Sequence, residues 1–240
     1  AFNKNDIWIS SGSQIAHWNG NIQDTTICNT SVSINAIWGS SSDNIYFVGN
    51  NGSIVHYDGS DFEKIESGTE VELTDIIGYG NDIWICGFTQ TDETVIMKNT
   101  DNGFERWYSN PYNEYINYDN SKISGPIISI WTDSEKYLWA ITYWGLYLID
   151  SDDPYSFKIY SNINAWNGYI FSLSGNAKND LFFCGDRTTI WHFNGVSNHY
   201  YEELKGDISL RKVKSSNEIV VIVGSDYATN KAIIIRGKRN

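Results

Sequence analysis

A short pattern returns along this chain roughly every 40 residues, and a repeat of that length constrains the fold more than any other feature. Residues 34–59 read INAIWGSSSDNIYFVGNNGSIVHYDG, and 73–87 read LTDIIGYGNDIWICG. Residues 127–150 read IISIWTDSEKYLWAITYWGLYLID, and 170–195 read IFSLSGNAKNDLFFCGDRTTIWHFNG. The chain opens with a partial copy, NDIWISSGSQIAHWNG, and closes with another, SSNEIVVIVGSDYATNKAIIIRG. Aligned on their central apolar residue, the copies fall at Ile7, Ile45, Ile83, Leu138, Leu181 and Val220, at intervals of 38, 38, 55, 43 and 39.

Each copy carries four strand signals. An apolar strand such as 34–38 comes first, and a polar turn leads to a β-branched and aromatic strand such as 45–48. A glycine-containing turn follows, then a third strand such as 53–57, and a DG or NG turn opens a fourth such as 62–66. DG and NG pairs accept the positive φ of tight hairpins. Short β runs at regular spacing without helical periodicity indicate an all-β sandwich, barrel or propeller, and a period of about 40 selects the propeller. The expected architecture is therefore a six-bladed β-propeller of four-stranded antiparallel blades, with six second and third strands but five inner and outer ones. Residues 1–240 are read as a single propeller domain with incomplete terminal blades. No signal peptide follows Ala1, so either the protein is cytosolic or a leader or upstream domain has been removed, and the incomplete terminal copies read the chain as the C-terminal part of a longer precursor.

Composition excludes several functions. Lys and Arg total 17 against 29 Asp and Glu, a net charge of −12. Phosphate backbones and anionic membrane surfaces both need clustered basic residues, so neither nucleic acid nor such a membrane is expected as a partner. No apolar run approaches the roughly 20 residues of a membrane-spanning helix. Hydrophobic residues make up 41% of the 240, enough for a packed core. Cys28, Cys86 and Cys184 match no zinc or redox spacing. Cys86 and Cys184 stand where another copy has Val48, and read as small buried hydrophobes.

The WGSSxDNIYFVGxxGxIxHYDG pattern of residues 38–59 resembles repeats of secreted or lipid-anchored bacterial propellers, common in Bacteroidota. Residues 127–150 are similar to the propeller repeats of two-component-regulator sensor ectodomains. The resemblance covers nearly the whole chain. It implies a periplasmic, extracellular or cell-surface location and ligand or glycan binding, with no catalytic residues to carry over. Propellers host binding, sensing and catalysis alike, so function must be argued from a site.

Several residue groups invite a chemical reading. His17, His56 and His192 occupy one position in three copies, AHWNG, VHYDG and WHFNG. Ligands must converge on one ion, whereas equivalent positions in different blades point around a ring, so a repeated hydrogen bond to a turn is expected and no metal site. Asp6, Asp43, Asp82 and Asp180 sit in repeat turns and are expected to cap them. Residues 99–107 resemble an Asp-box, with Asn99 in place of Ser and Trp107 one residue late. No nucleophile elbow, zinc-protease, Walker or dinucleotide motif is present, and no cofactor is implied. Calcium binding by Asp and Asn turns stays open, since those turns offer oxygen ligands without EF-hand spacing.

The best candidate site lies in two long connections, residues 109–126 and 161–168, which enter and leave one blade. Together with that blade's turn between second and third strands, they group Tyr112, Tyr115, Tyr118, Tyr143, Trp144 and Trp166 with Asp119, Asn120 and Asn164. Loop aromatics with no core to fill make a binding platform. Flat rings beside amide and carboxylate acceptors suit a carbohydrate, and suit a peptide or protein nearly as well. The alternative is that the loop folds down and its tyrosines plug the axial channel. The leading reading is a non-catalytic binding or sensing propeller. Two others remain open: a glycan-active hydrolase or lyase using Glu114 or Asp119 in an axial pocket, and a structural module whose terminal blade a partner chain completes.

Overall fold

The computed structural model describes residues 1–21, 26–90, 93–111, 122–162, 169–204 and 206–238. The chain divides into two compact units, residues 1–113 and 114–240. Among the described residues all regular structure is β except one 3₁₀ turn, Glu202–Leu204, and no helix is long and apolar enough to cross a membrane.

The first unit holds three antiparallel sheets. The first sheet is β1 (Ile7–Ser11), β2 (Gln14–Trp18) and β3 (Thr26–Asn29). The second is β4 (Ile34–Ser41), β5 (Asn44–Gly49), β6 (Ile54–Tyr57) and β7 (Phe62–Ile65). The third is β8 (Glu72–Tyr79), β9 (Asp82–Phe88), β10 (Glu93–Thr100) and β11 (Gly103–Pro111).

The second unit holds three more. The fourth sheet is β12 (Ile127–Trp131), β13 (Tyr137–Thr142), β14 (Gly145–Asp150) and β15 (Asp153–Asn162). The fifth is β16 (Ile170–Ala177), β17 (Asp180–Gly185), β18 (Ile190–Phe193) and β19 (Asn198–Tyr200). The sixth is β20 (Ile208–Ser215), β21 (Ile219–Asp226) and β22 (Lys231–Lys238). In every sheet strand order follows chain order, the meander of a propeller blade.

The expectation of six four-stranded blades is corrected. The 22 described strands would suffice for five such blades and two strands more, and they are distributed as four four-stranded and two three-stranded sheets. Ahead of β1 the chain forms a single bridge, Asn3 to Asp6, in place of an inner strand. At the other end no fourth strand pairs with β22 among the described residues.

One device repeats from sheet to sheet. An aromatic residue in the second strand lies under a histidine of the third, which bonds the polar residue two positions before the ring. Trp8 stacks on His17 at 4.2 Å, Tyr46 on His56 at 4.3 Å, and Phe182 on His192 at 4.3 Å. The histidine Nε2 atoms meet Asp6 at 2.9 Å, Asn44 at 2.7 Å and Asp180 at 2.9 Å. In the third sheet Lys98 replaces histidine, lying 4.6 Å over Trp84 and pairing with Asp82 at 3.0 Å. Asp6, Asp82 and Asp180 thus serve third-strand side chains, a role that turn statistics do not foresee. Asn99, the first residue of the Asp-box-like segment, accepts from Ile83 N and donates to Asn81 O, tying its hairpin to the preceding turn.

Adjacent inner strands within each unit are stitched by side chains. The Ser129 hydroxyl accepts from Leu173 N, Ser172 from Val213 N and Ser174 from Ser215 N. Asn35 donates to Leu73 O. Trp8, Trp84 and Trp139 are buried, as their recurrence in the second strand implies. Cys86 and Cys184 are buried free thiols, and burial pushes Cys184 up to about 12, a rise that Lys212 opposes.

Candidate functional site

Antiparallel pairing places the start of each inner strand beside the end of the second strand. Ile170 lies opposite Gly185, and Ser209 opposite Ser225. The turns between second and third strands therefore share one face with the segments leading into the inner strands. In the second unit this face carries polar and aromatic residues that the core does not use.

Its first part is the turn between β13 and β14. In the second, third and fifth sheets a glycine stands at or next to the end of the second strand, because a Cβ there would strike a backbone carbonyl. It would lie 2.0 Å from Ser33 O at Gly49, 2.3 Å from Glu72 O at Gly87 and 1.8 Å from Tyr169 O at Gly185. The fourth sheet has Thr142 instead, and its hydroxyl accepts from Trp144 N at 2.9 Å and Gly145 N at 3.1 Å. The resulting tight turn presents Tyr143 and Trp144. Trp144 lies down on Gly125, whose φ is +80° and where a Cβ would come within 2.2 Å of the indole. Tyr143 leans on Tyr169, ring centroids 5.0 Å apart at 61°. Tyr169 is 59% exposed.

Next comes the turn between β17 and β18. Asp186 N donates to Tyr169 O, Thr189 N to Asp186 O, and Thr188 N to Ile208 O. The turn between β5 and β6 has the same lacing, Asn50 to Ser33, Ser53 to Asn50 and Gly52 to Val71. There the two left-handed residues are Asn51 and Gly52, types suited to positive φ. Here they are Arg187 at φ 51° and Thr188 at φ 56°. A β-branched residue in that region is held against its own preference. Thr188 fits sterically because its hydroxyl sits 3.0 Å from where Gly206 would carry a Cβ. Asp186 Oδ1 and Thr189 Oγ1 in this turn are buried without a hydrogen-bond partner among the described residues. Such groups cost stability unless something satisfies them.

The third part belongs to the sixth sheet. The Arg211 guanidinium lies 4.6 Å over Phe171 and donates to the Tyr227 hydroxyl. Tyr227, in the turn between β21 and β22, is 64% exposed. The nearby Ser209 hydroxyl and the Arg211 charge hold the Tyr227 phenol below its usual range, against the nearby Asp186 carboxylate. Arg187 is exposed, and among the described residues no side-chain partner is found for it.

Of the residues expected from sequence, Tyr143 and Trp144 fall on this face. Tyr112, Tyr115, Tyr118, Asp119, Asn120, Asn164 and Trp166, and Glu114 of the hydrolase alternative, lie outside the described residues. Sequence reasoning missed Tyr169, Phe171, Asp186, Arg187, Arg211 and Tyr227. One signal was present: Arg187-Thr188 stands where the sister copy has Asn51-Gly52. Among the described residues no group of three or more His, Cys, Asp or Glu could hold a metal ion.

No protein-family model matches the chain, and no curated protein matches it in sequence. Solved structures do match. YCF48 bound to D1 peptide is 14% identical with a TM-score of 0.55, covering 84% of this chain and 68% of that one. A protein of unknown function from Bacteroides caccae is 12% identical with a TM-score of 0.62, covering 96% and 89%. A chain of the mitotic checkpoint complex is 10% identical with a TM-score of 0.66, covering 97% and 72%. At such identity the likeness concerns the fold, which is a β-propeller of four-stranded antiparallel blades.

Proposed function

We propose that this chain is a non-catalytic binding propeller, and that the face carrying Tyr143, Tyr169, Arg187 and Tyr227 holds a peptide segment of a protein partner. The observation that carries the reading is the turn between β17 and β18. It keeps Arg187 and Thr188 in left-handed backbone and leaves Asp186 Oδ1 and Thr189 Oγ1 unsatisfied. Strained backbone persists at sites where it serves a function. A peptide supplies carboxylates for Arg187 and side chains to lie on Tyr143 and Tyr169. Propellers of this fold occur with a peptide, as in YCF48 with D1 peptide, and in a multiprotein assembly, as in the mitotic checkpoint complex.

The test is a peptide array and a glycan array, each probed with the chain and with a Tyr169→Ala/Arg187→Ala variant. Both positions are exposed, so the variant keeps its fold, which circular dichroism checks. Peptide binding that falls at least about tenfold in the variant supports the proposal. Glycan binding lost in the variant would assign the face to a carbohydrate instead, and peptide binding equal in both proteins would remove the face from the function.

A further inference from the structure

We infer that the space between the fourth and fifth sheets, at the end of the strands opposite to the face described above, is a binding site for a small aromatic carboxylic acid. It is a second site and does not rest on the peptide reading.

The repeat shows what this place contains in other sheets. A second-strand ring is capped by a polar third-strand side chain of its own sheet: His17 on Trp8, His56 on Tyr46, His192 on Phe182 and Lys98 on Trp84. A phenylalanine from the fourth strand of the next sheet also comes against the ring, Phe62 at 6.1 Å from Trp8 and Phe104 at 5.9 Å from Tyr46. The fourth and fifth sheets depart on both counts. Trp139 pairs with Leu148, so the polar cap is replaced by an aliphatic side chain. Tyr137 stands two positions before the ring, where the other sheets have Asp6, Asn44, Asp82 and Asp180. Register carries the position of Phe62 onto a polar residue. Tyr57, the partner of Ile45, pairs with Phe62, whereas Phe193, the partner of Leu181, pairs with Asn198. A pocket of about 500 Å³ lies beside Trp139, lined by both altered cap residues, Tyr137 and Leu148.

Its lining selects the ligand. Trp139, Leu148, Tyr160 and Phe193 make up the apolar part, and Tyr160 lies 5.0 Å from Trp139 and 5.4 Å from Phe193. The charged lining residues are Lys136, Lys178 and Asp133. Asp133 accepts from Lys178 N at 3.0 Å, which ties the first turns of the two sheets together and engages one carboxylate oxygen. Lys136 and Lys178 are exposed, and Lys158 lies 4.3 Å over the Tyr160 ring. Three lysines gathered around an aromatic pocket, in a chain of net charge −12, attract an anion with a flat apolar body. The volume falls within the roughly 300–1,000 Å³ of small-molecule sites, which are apolar and aromatic with a few placed polar groups. An aromatic ring fills the apolar part, and its carboxylate reaches the lysines.

The probes are benzoate, 4-hydroxyphenylacetate and indole-3-acetate. Saturation-transfer NMR with the 240-residue chain finds which of them binds best, and calorimetry measures that acid. Saturable 1:1 binding is expected, at least about fivefold weaker for the uncharged amide of the same acid and for Lys136→Gln/Lys178→Gln. Both lysines are exposed, so this variant keeps its fold, which circular dichroism checks. Tyr137→Asn/Leu148→His rebuilds over Trp139 the cap that Asn44 and His56 form over Tyr46, and should weaken binding at least about tenfold. If that variant fails to fold, the lysine pair and the amide decide. The Tyr169→Ala/Arg187→Ala variant should bind the acid unchanged, which separates this site from the peptide face. Binding of none of the three acids, an amide bound as well as its acid, or affinity indifferent to the lysine pair would overturn the proposal. Loss of binding in the Tyr169→Ala/Arg187→Ala variant would overturn it too, by assigning the acid to the other face.

Discussion

His56 shows how a single side chain can couple this fold to pH. Burial holds its imidazole below the usual histidine value of 6.5, against the pull of Asp58 and Glu63. A lowered folded pKa means that the unfolded chain takes up its proton first. Stability is therefore undiminished above pH 6.5 and is lost as pH falls from there through the lower folded value. Asp58 acts at more acid pH. The amides of Asp61 and Ser60 that bond its carboxylate hold it down at about 2, so its contribution disappears as pH falls from 3.8 through that value. His56→Gln should flatten the loss of stability between neutral pH and pH 5 while leaving the loss below pH 4 in place. Urea midpoints measured across that range check this, and an unchanged slope between pH 7 and 5 would refute it.

At the scale of the strand and its turns, glycines at second-strand ends fix where each inner strand begins. Gly185 is the tightest, because its missing Cβ is what admits the Tyr169 carbonyl. Gly185→Ala should cost about 2–3 kcal/mol, since backbone rather than a flexible side chain must give way. The expected control is Gly237→Ala, where the added methyl meets Val220 at an ordinary contact distance of 3.8 Å and the cost should stay below about 1 kcal/mol. Chemical denaturation of the two variants beside the parent chain tests the contrast. The repeated glycine was legible in FVG, ICG and FCG, but its reason was not. A strand pattern shows which residues alternate, and it does not show which carbonyl of another strand will lie against a given Cα.

For the molecule as a whole, charge is the dominant long-range quantity. With a net charge of −12 the compact state repels itself, and salt screens that repulsion. The melting temperature should rise between low salt and 0.5 M sodium chloride at pH 7, and calorimetry at the two ionic strengths checks it. A fall would mean that specific pairs such as Lys98 with Asp82 and Arg106 with Glu93 outweigh the net charge.

The blade was legible in the residues alone. The spacing of Ile45, Ile83 and Leu181 and the turn residues between strands are local, because hairpin pairing joins neighbours in the chain. So was the place of Trp8, Trp84 and Trp139 in the interior, since a ring repeated in the same strand needs a repeated place to go. Which side chains meet across sheets was settled by packing. Tyr169 meets Tyr143, and Arg211 meets Phe171, through contacts between residues 26 and 40 positions apart. Such contacts follow from how one sheet packs on the next, which no single repeat encodes.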